Sequence, residues 1–167
     1  KEAIEGENPF TTEQLAAAPN CSGGYWIVVH AARFPGDNKL LAFELTTKGL
    51  NPKYVESNSY PSPFPLLSIY GFKYGSFGQM EFSPNNKMMA ITASEYFYTE
   101  MKHPHPCRGK CELHSFDPST GTFHVLVDSL PAMYGVAFSP DSKLLYTSTC
   151  IDLDGSPIPS RIIQHDV

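Results

Sequence analysis

The turn Phe82-Ser-Pro-Asn-Asn-Lys87 recurs as Phe138-Ser-Pro-Asp-Ser-Lys143, each copy entered by one strand-like run and left by a second, more apolar one. A turn repeated together with its flanking strands describes a supersecondary unit used more than once, and such units bury their faces only by stacking on one another. The turn has its own chemistry. Proline presets the first central residue, the Asn or Asp side chain accepts a nearby backbone N–H, and the serine hydroxyl caps a further backbone group. Ser83 and Ser139 are therefore assigned to the turns and not to nucleophilic catalysis.

Period-two alternation and turn residues mark the rest of the chain. Strands are expected at about residues 14–18, 25–30, 40–45 and 53–57, then 79–83, 87–94, 112–117 and 122–128, then 134–139, 144–149 and 162–166. Asn20-Cys-Ser-Gly-Gly24, Pro35-Gly-Asp-Asn38, Thr47-Lys-Gly-Leu50 and Asp117-Pro-Ser-Thr-Gly121 supply turns between them. Fifteen prolines, twelve glycines and a 13% aromatic share favour short strands over helices, and 167 residues that are 41% apolar can bury a core without staples.

Four-stranded antiparallel units in series, each opening with a strand that enters a Ser-Pro-(Asn/Asp)-x-Lys turn, are what a β-propeller blade requires. The expected fold is thus all-β, a partial propeller in a single domain, with blade one at about residues 12–58, blade two at 66–129 and an incomplete blade three at 132–167. Polar, unpatterned residues at the start and a strand at the finish read as a segment of something longer. A stack open at one side leaves an apolar face and a strand edge, so self-association is expected.

A formal net charge of −5, with no Lys/Arg-rich run, gives no electrostatic footing for nucleic acid. No stretch approaches the ~20 apolar residues that cross a bilayer, so membrane insertion is not expected. The opening residues lack the basic start and apolar centre of a signal peptide.

The runs Thr12-Glu-Gln-Leu-Ala-Ala-Ala-Pro-Asn20, Tyr25-Trp-Ile-Val-Val-His30, Leu41-Ala-Phe-Glu-Leu-Thr-Thr-Lys-Gly-Leu-Asn51 and Met133-Tyr-Gly-Val-Ala-Phe-Ser-Pro-Asp-Ser-Lys-Leu-Leu-Tyr146 carry a resemblance. From about Thr12 onward the chain resembles the propeller module of large exported proteins of Bacteroidetes that bear gliding-motility-associated, type IX secretion sorting domains. The resemblance implies export to the cell surface or medium and a ring of about seven blades. It implies nothing about chemistry, and the sorting domain is absent from these residues.

The segment Glu95-Tyr-Phe-Tyr-Thr-Glu-Met-Lys-His-Pro-His-Pro-Cys-Arg-Gly-Lys-Cys111 is the most chemically loaded, and residues 96–110 read as a long excursion between two strands. His103, His105, Cys107 and Cys111 offer ligand types for zinc, but their spacing departs from paired C-x2-C sites. In an exported protein a local disulfide between Cys107 and Cys111 is preferred, with free thiols or a metal as alternatives. Cys21 and Cys150 should stand at opposite ends of their sheets, beyond the ~7 Å between Cα atoms that a bridge allows. Asp152-Leu-Asp-Gly155 lacks the remaining ligands of a calcium loop and is assigned to a polar turn.

Strand direction gathers the ends of second strands and the loops that follow onto one face, where His30, Arg33, Tyr96, Tyr98, His103, His105, Asp152 and Asp154 would meet. Loops on a rigid scaffold commonly carry binding, and exposed aromatics with mixed charges suit a glycan or a protein partner. The bland alternatives are a satisfied strand-end histidine and tyrosines packed on neighbouring blades. No nucleophile elbow, phosphate loop, His-Glu-x-x-His pair or supported acid pair occurs, and no cofactor is expected. A non-catalytic binding or scaffolding propeller is preferred. The alternative is a lactonase-like propeller hydrolase whose active centre lies in blades outside these residues.

Overall fold

The structure, a computed structural model, describes residues 11–33, 37–58, 73–97, 105–132, 135–151 and 157–167. They hold eleven strands: β1 (Thr11–Pro19), β2 (Tyr25–Arg33), β3 (Asp37–Thr46), β4 (Gly49–Asn58), β5 (Lys73–Phe82), β6 (Met88–Phe97), β7 (His105–Asp117), β8 (Thr122–Pro131), β9 (Val136–Phe138), β10 (Leu144–Ile151) and β11 (Pro157–Asp166). Consecutive strands pair antiparallel into three sheets, β1-β2-β3-β4, β5-β6-β7-β8 and the three-stranded β9-β10-β11. The all-β class and the meander order within each sheet match the alternation in the sequence.

Residues 96–110 correct one expectation. β6 runs to Phe97 and β7 starts at His105, with Tyr96 paired to Pro106 and Phe97 to His105, so much of the supposed excursion is a longer hairpin. A strand ladder satisfies backbone groups whatever the side chains are, so polar residues can extend it where alternation gives no signal.

The two Ser-Pro turns fold alike, and their serines and Asx residues do the capping that the sequence implies. Ser83 Oγ accepts from Met88 N at 3.0 Å and Asn85 Oδ1 from Lys87 N at 3.0 Å. Ser139 Oγ accepts from Leu144 N at 3.0 Å and Asp141 Oδ1 from Lys143 N at 3.2 Å. The fourth residue of each turn, Asn86 or Ser142, sits in the left-handed region at φ 57° or 61°. The turns also touch, because Asn85 N donates to Ser142 Oγ at 3.1 Å.

Two apolar layers separate the three sheets. Ala18, Trp26, Val28, Leu40 and Ala42 of the first sheet meet Met89, Ile91, Phe116 and Phe123 of the second. Ala90, Cys111 and Leu113 of the second sheet then meet Val136, Phe138 and Leu145 of the third, with Ala132 between. The central strands β6 and β7 of the middle sheet are buried on both faces, which is why β6 reads Met-Met-Ala-Ile without alternation. First strands lie side by side, β1 against β5 and β5 against β9, and β4 lies against β8.

Polar contacts fix that stacking. Val136 N donates to Gln79 Oε1 at 3.1 Å, tying the short β9 to β5. Trp26 Nε1 donates to the Pro118 carbonyl at 2.8 Å, while its ring covers Gly121, where a Cβ would come within 3.0 Å of ring atoms. Gly121 also holds φ 73°, so conformation and space both call for glycine.

Candidate functional site

The direct contacts between turns set which hairpins share an end. The β1–β2 turn meets the β7–β8 turn through Trp26, and the β5–β6 turn meets the β9–β10 turn through Asn85. The β5–β6 and β7–β8 turns stand at one end of the middle sheet, where Phe116 N donates to the Lys87 carbonyl at 2.8 Å. The hairpins β2–β3, β6–β7 and β10–β11 therefore point to the opposite end. That end holds the backbone of Arg33, the last residue of β2, opposite Asp37, and that of Tyr96 and His105 in the β6–β7 hairpin. The side chains of these three lie outside the described residues, as do Tyr98, His103, Asp152 and Asp154 altogether.

His30 departs from the expected face. It is 2% exposed, its ring turned between the first and second sheets and not toward solvent. Its position in β2 follows Trp26 and Val28 at spacing two, so the pleat that buries those side chains buries the histidine as well.

What it meets there is a buried ionic cluster on β7. Lys110, Glu112 and His114 alternate with Cys111 and Leu113, and share the face of Phe116 that turns to the first sheet. One carboxylate oxygen of Glu112 takes the Lys110 ammonium at 2.8 Å, the other takes His114 Nε2 at 3.0 Å. All three side chains are sealed from solvent, and the His114 ring stands edge-on to Phe123 with centroids 6.3 Å apart. Gln14 of β1, directly across from His30 in the ladder, completes the polar set; its amide atoms and His114 Nδ1 have no hydrogen-bond partner among the described residues.

The electrostatics follow from this burial. Desolvation pushes His30 down to about 4, partly offset by the nearby Glu112 charge, so the imidazole is neutral at ordinary pH. Burial by itself would raise Glu112, but the His114 hydrogen bond and the Lys110 ammonium hold its carboxyl below the usual value. A charged carboxylate is thereby retained in an apolar layer, which needs this pairing to be tolerated.

The cysteines correct another expectation. Cys111 is a free, buried thiol, pushed up to about 12 by burial and then by the Glu112 charge, so it is not bridged to Cys107. Both residues lie on β7, and four residues of strand span about 13 Å, well beyond the ~7 Å limit for a disulfide. Cys21 is also free, and exposed, in line with the expectation that it does not join Cys150. Among the described residues no group of three or more His, Cys, Asp or Glu side chains has a metal-holding arrangement.

Sequence reasoning missed the Lys110–Glu112–His114 cluster because alternation of polar and apolar residues normally marks one wet face and one dry face. Here both faces are dry. The signal that could have found it is the neighbouring β6, whose unbroken apolar run already implies a sheet covered on both sides. Comparison with protein-family models, with curated proteins and with solved structures found no match.

Proposed function

We propose that this chain is a non-catalytic binding or scaffolding part of a β-propeller, carried by an exported bacterial protein of the cell surface or medium. Three meander sheets stacked in chain order, with their first strands adjacent, are the arrangement that successive blades would have, and a ring of about seven is the size proposed for the whole. One observation carries the functional side. Three hairpins, β2–β3, β6–β7 and β10–β11, emerge at the same end of a packed stack, whereas the chain's buried Lys–Glu–His set is locked in ion pairs and sealed from any substrate. The ligand proposed for that end is a surface glycan or a protein.

The test is a glycan array together with pull-down from cell-surface extracts, using the full chain and a variant carrying Arg33→Ala, Tyr96→Ala and His105→Ala. Capture by the parent chain that the triple variant loses supports the proposal. Absence of capture in both formats, or hydrolysis of a lactone or ester panel that disappears with Glu112→Gln, overturns it.

A further inference from the structure

The pleat of β1 aims one long polar side chain into the layer between the first and second sheets. Gln14, Ala16 and Ala18 pair with His30, Val28 and Trp26, the residues of β2 that face the second sheet, so all three turn the same way. The ladder is irregular between Thr12 and Gln14, and a bulge re-aims the side chain beside it. Both amide atoms of Gln14 are sealed from solvent there without a hydrogen-bond partner among the described residues, and so is Nδ1 of His114. His30 brings the two groups together: it stands across the ladder from Gln14, and its charge interacts with that of His114.

The unpartnered atoms are complementary. Glu112, held as an ionised carboxylate, only accepts, so His114 presents its Nε2–H to it at 3.0 Å, and in the neutral ring Nδ1 is then an acceptor. Gln14 Nε2 has donors to offer, yet no direct bond joins the two. Buried polar atoms of opposite kind that face one layer without touching are bridged by ordered water, because each otherwise bears the full cost of leaving solvent. We propose that Gln14 and His114 hold a buried water molecule, which accepts from Gln14 Nε2 and donates to His114 Nδ1, with its second proton or a further water serving Gln14 Oε1. The surrounding side chains are sealed from solvent, which suits a guest of water's size. A cation is unsuited, since no group of His, Cys, Asp or Glu side chains among the described residues has a metal-holding arrangement. The bridge carries the Lys110–Glu112–His114 chain of contacts across to β1 and is independent of the binding function proposed for the hairpin end.

The test is nuclear magnetic resonance on the nitrogen-15-labelled full chain, with Gln14→Met as the variant that keeps the length of the side chain and removes its polar atoms. In the parent chain, water should cross-relax with the Gln14 side-chain amide protons, with the sign given by a molecule that tumbles with the protein. His114 Nδ1 should show the shift of a hydrogen-bonded acceptor and lose it in Gln14→Met, and the number of long-lived waters counted by oxygen-17 relaxation dispersion should fall by at least one. Emission of Trp26, the single tryptophan, lies in the same layer and verifies that the variant is folded. Three results overturn the proposal: no water cross-relaxation at the Gln14 amide of the parent, the same number of long-lived waters in a folded variant, or a scalar coupling from Gln14 Nε2 to His114 Nδ1, which would show that the two bond directly. The first and third are read on the parent chain and stand whether or not the variant folds.

Discussion

His30 and Glu112, in one buried layer, both make the folded chain sensitive to acid. The histidine ordinarily titrates at 6.5 and in the folded chain at about 4, so below pH 6.5 the unfolded chain takes up a proton that the folded chain refuses. Stability is untouched above that pH and declines as pH falls toward 4, by roughly 3 kcal/mol in all. Glu112 acts in the same direction but lower: its carboxyl is held below the ordinary 4.5, so its contribution is present above that value and is lost as pH falls through the folded one. The titratable groups that His30 feels are Glu112 and His114 of β7, with Gln14 of β1 across the ladder from it. Urea midpoints measured from pH 7.5 to 4.5 should fall steadily below 6.5 for the parent chain and less steeply for His30→Gln, in which only His165, also lowered by burial, still refuses a proton in that range. An unchanged slope in that variant would place the acid sensitivity elsewhere.

The repeated turns are where side chains and backbone conformation can be weighed against each other. Asn86 and Ser142 both occupy the left-handed region, which costs a side chain about 1 kcal/mol relative to glycine. Ser142 recovers part of that cost because its hydroxyl accepts from Asn85 N of the neighbouring turn. Asn86→Gly should therefore stabilise the chain by about 0.5 kcal/mol, whereas Ser142→Gly should gain nothing. Asn85→Ala removes the acceptor for Lys87 N and for the Ser83 hydroxyl, and should cost about 1 kcal/mol. Thermal denaturation of the three variants checks the order; stabilisation by Ser142→Gly equal to that by Asn86→Gly would mean that the contact between turns contributes nothing.

For the whole molecule, β6 and β7 stand out as the strands buried on both faces at the centre of the stack. Local opening is costliest where apolar contacts are lost on two sides at once. Amide hydrogens of β6 and β7 should exchange most slowly, those of β9 and β11 faster, with the strands of the first sheet between. Protection of β11 equal to that of β6 would argue that its outer edge is covered in solution.

The centre of every strand could be placed from residues alone, though not the far ends of β5, β7 and β11, because the signals involved are local: alternation at Tyr25 to His30, the twin Ser-Pro turns, the Asp117-Pro-Ser-Thr-Gly121 hairpin, each deciding backbone conformation over a few residues. The direction of the chain through each meander follows from the same turns, which is why Cys21 could be separated from Cys150 without coordinates. Burial is a different kind of property. Whether the polar residues of β7 look at water or at another sheet depends on what lies across the layer, and β2 is far from β7 in sequence. His30 was accordingly placed on the loop face, with a satisfied strand-end residue as the alternative, and Cys107 was expected to reach Cys111 although the one strand that carries both, bulged at Cys107, holds them apart. Local chemistry chose the strands and turns; only the stacking of one sheet on the next, a matter of distant surfaces meeting, decided that a lysine, a glutamate and two histidines would share a dry layer.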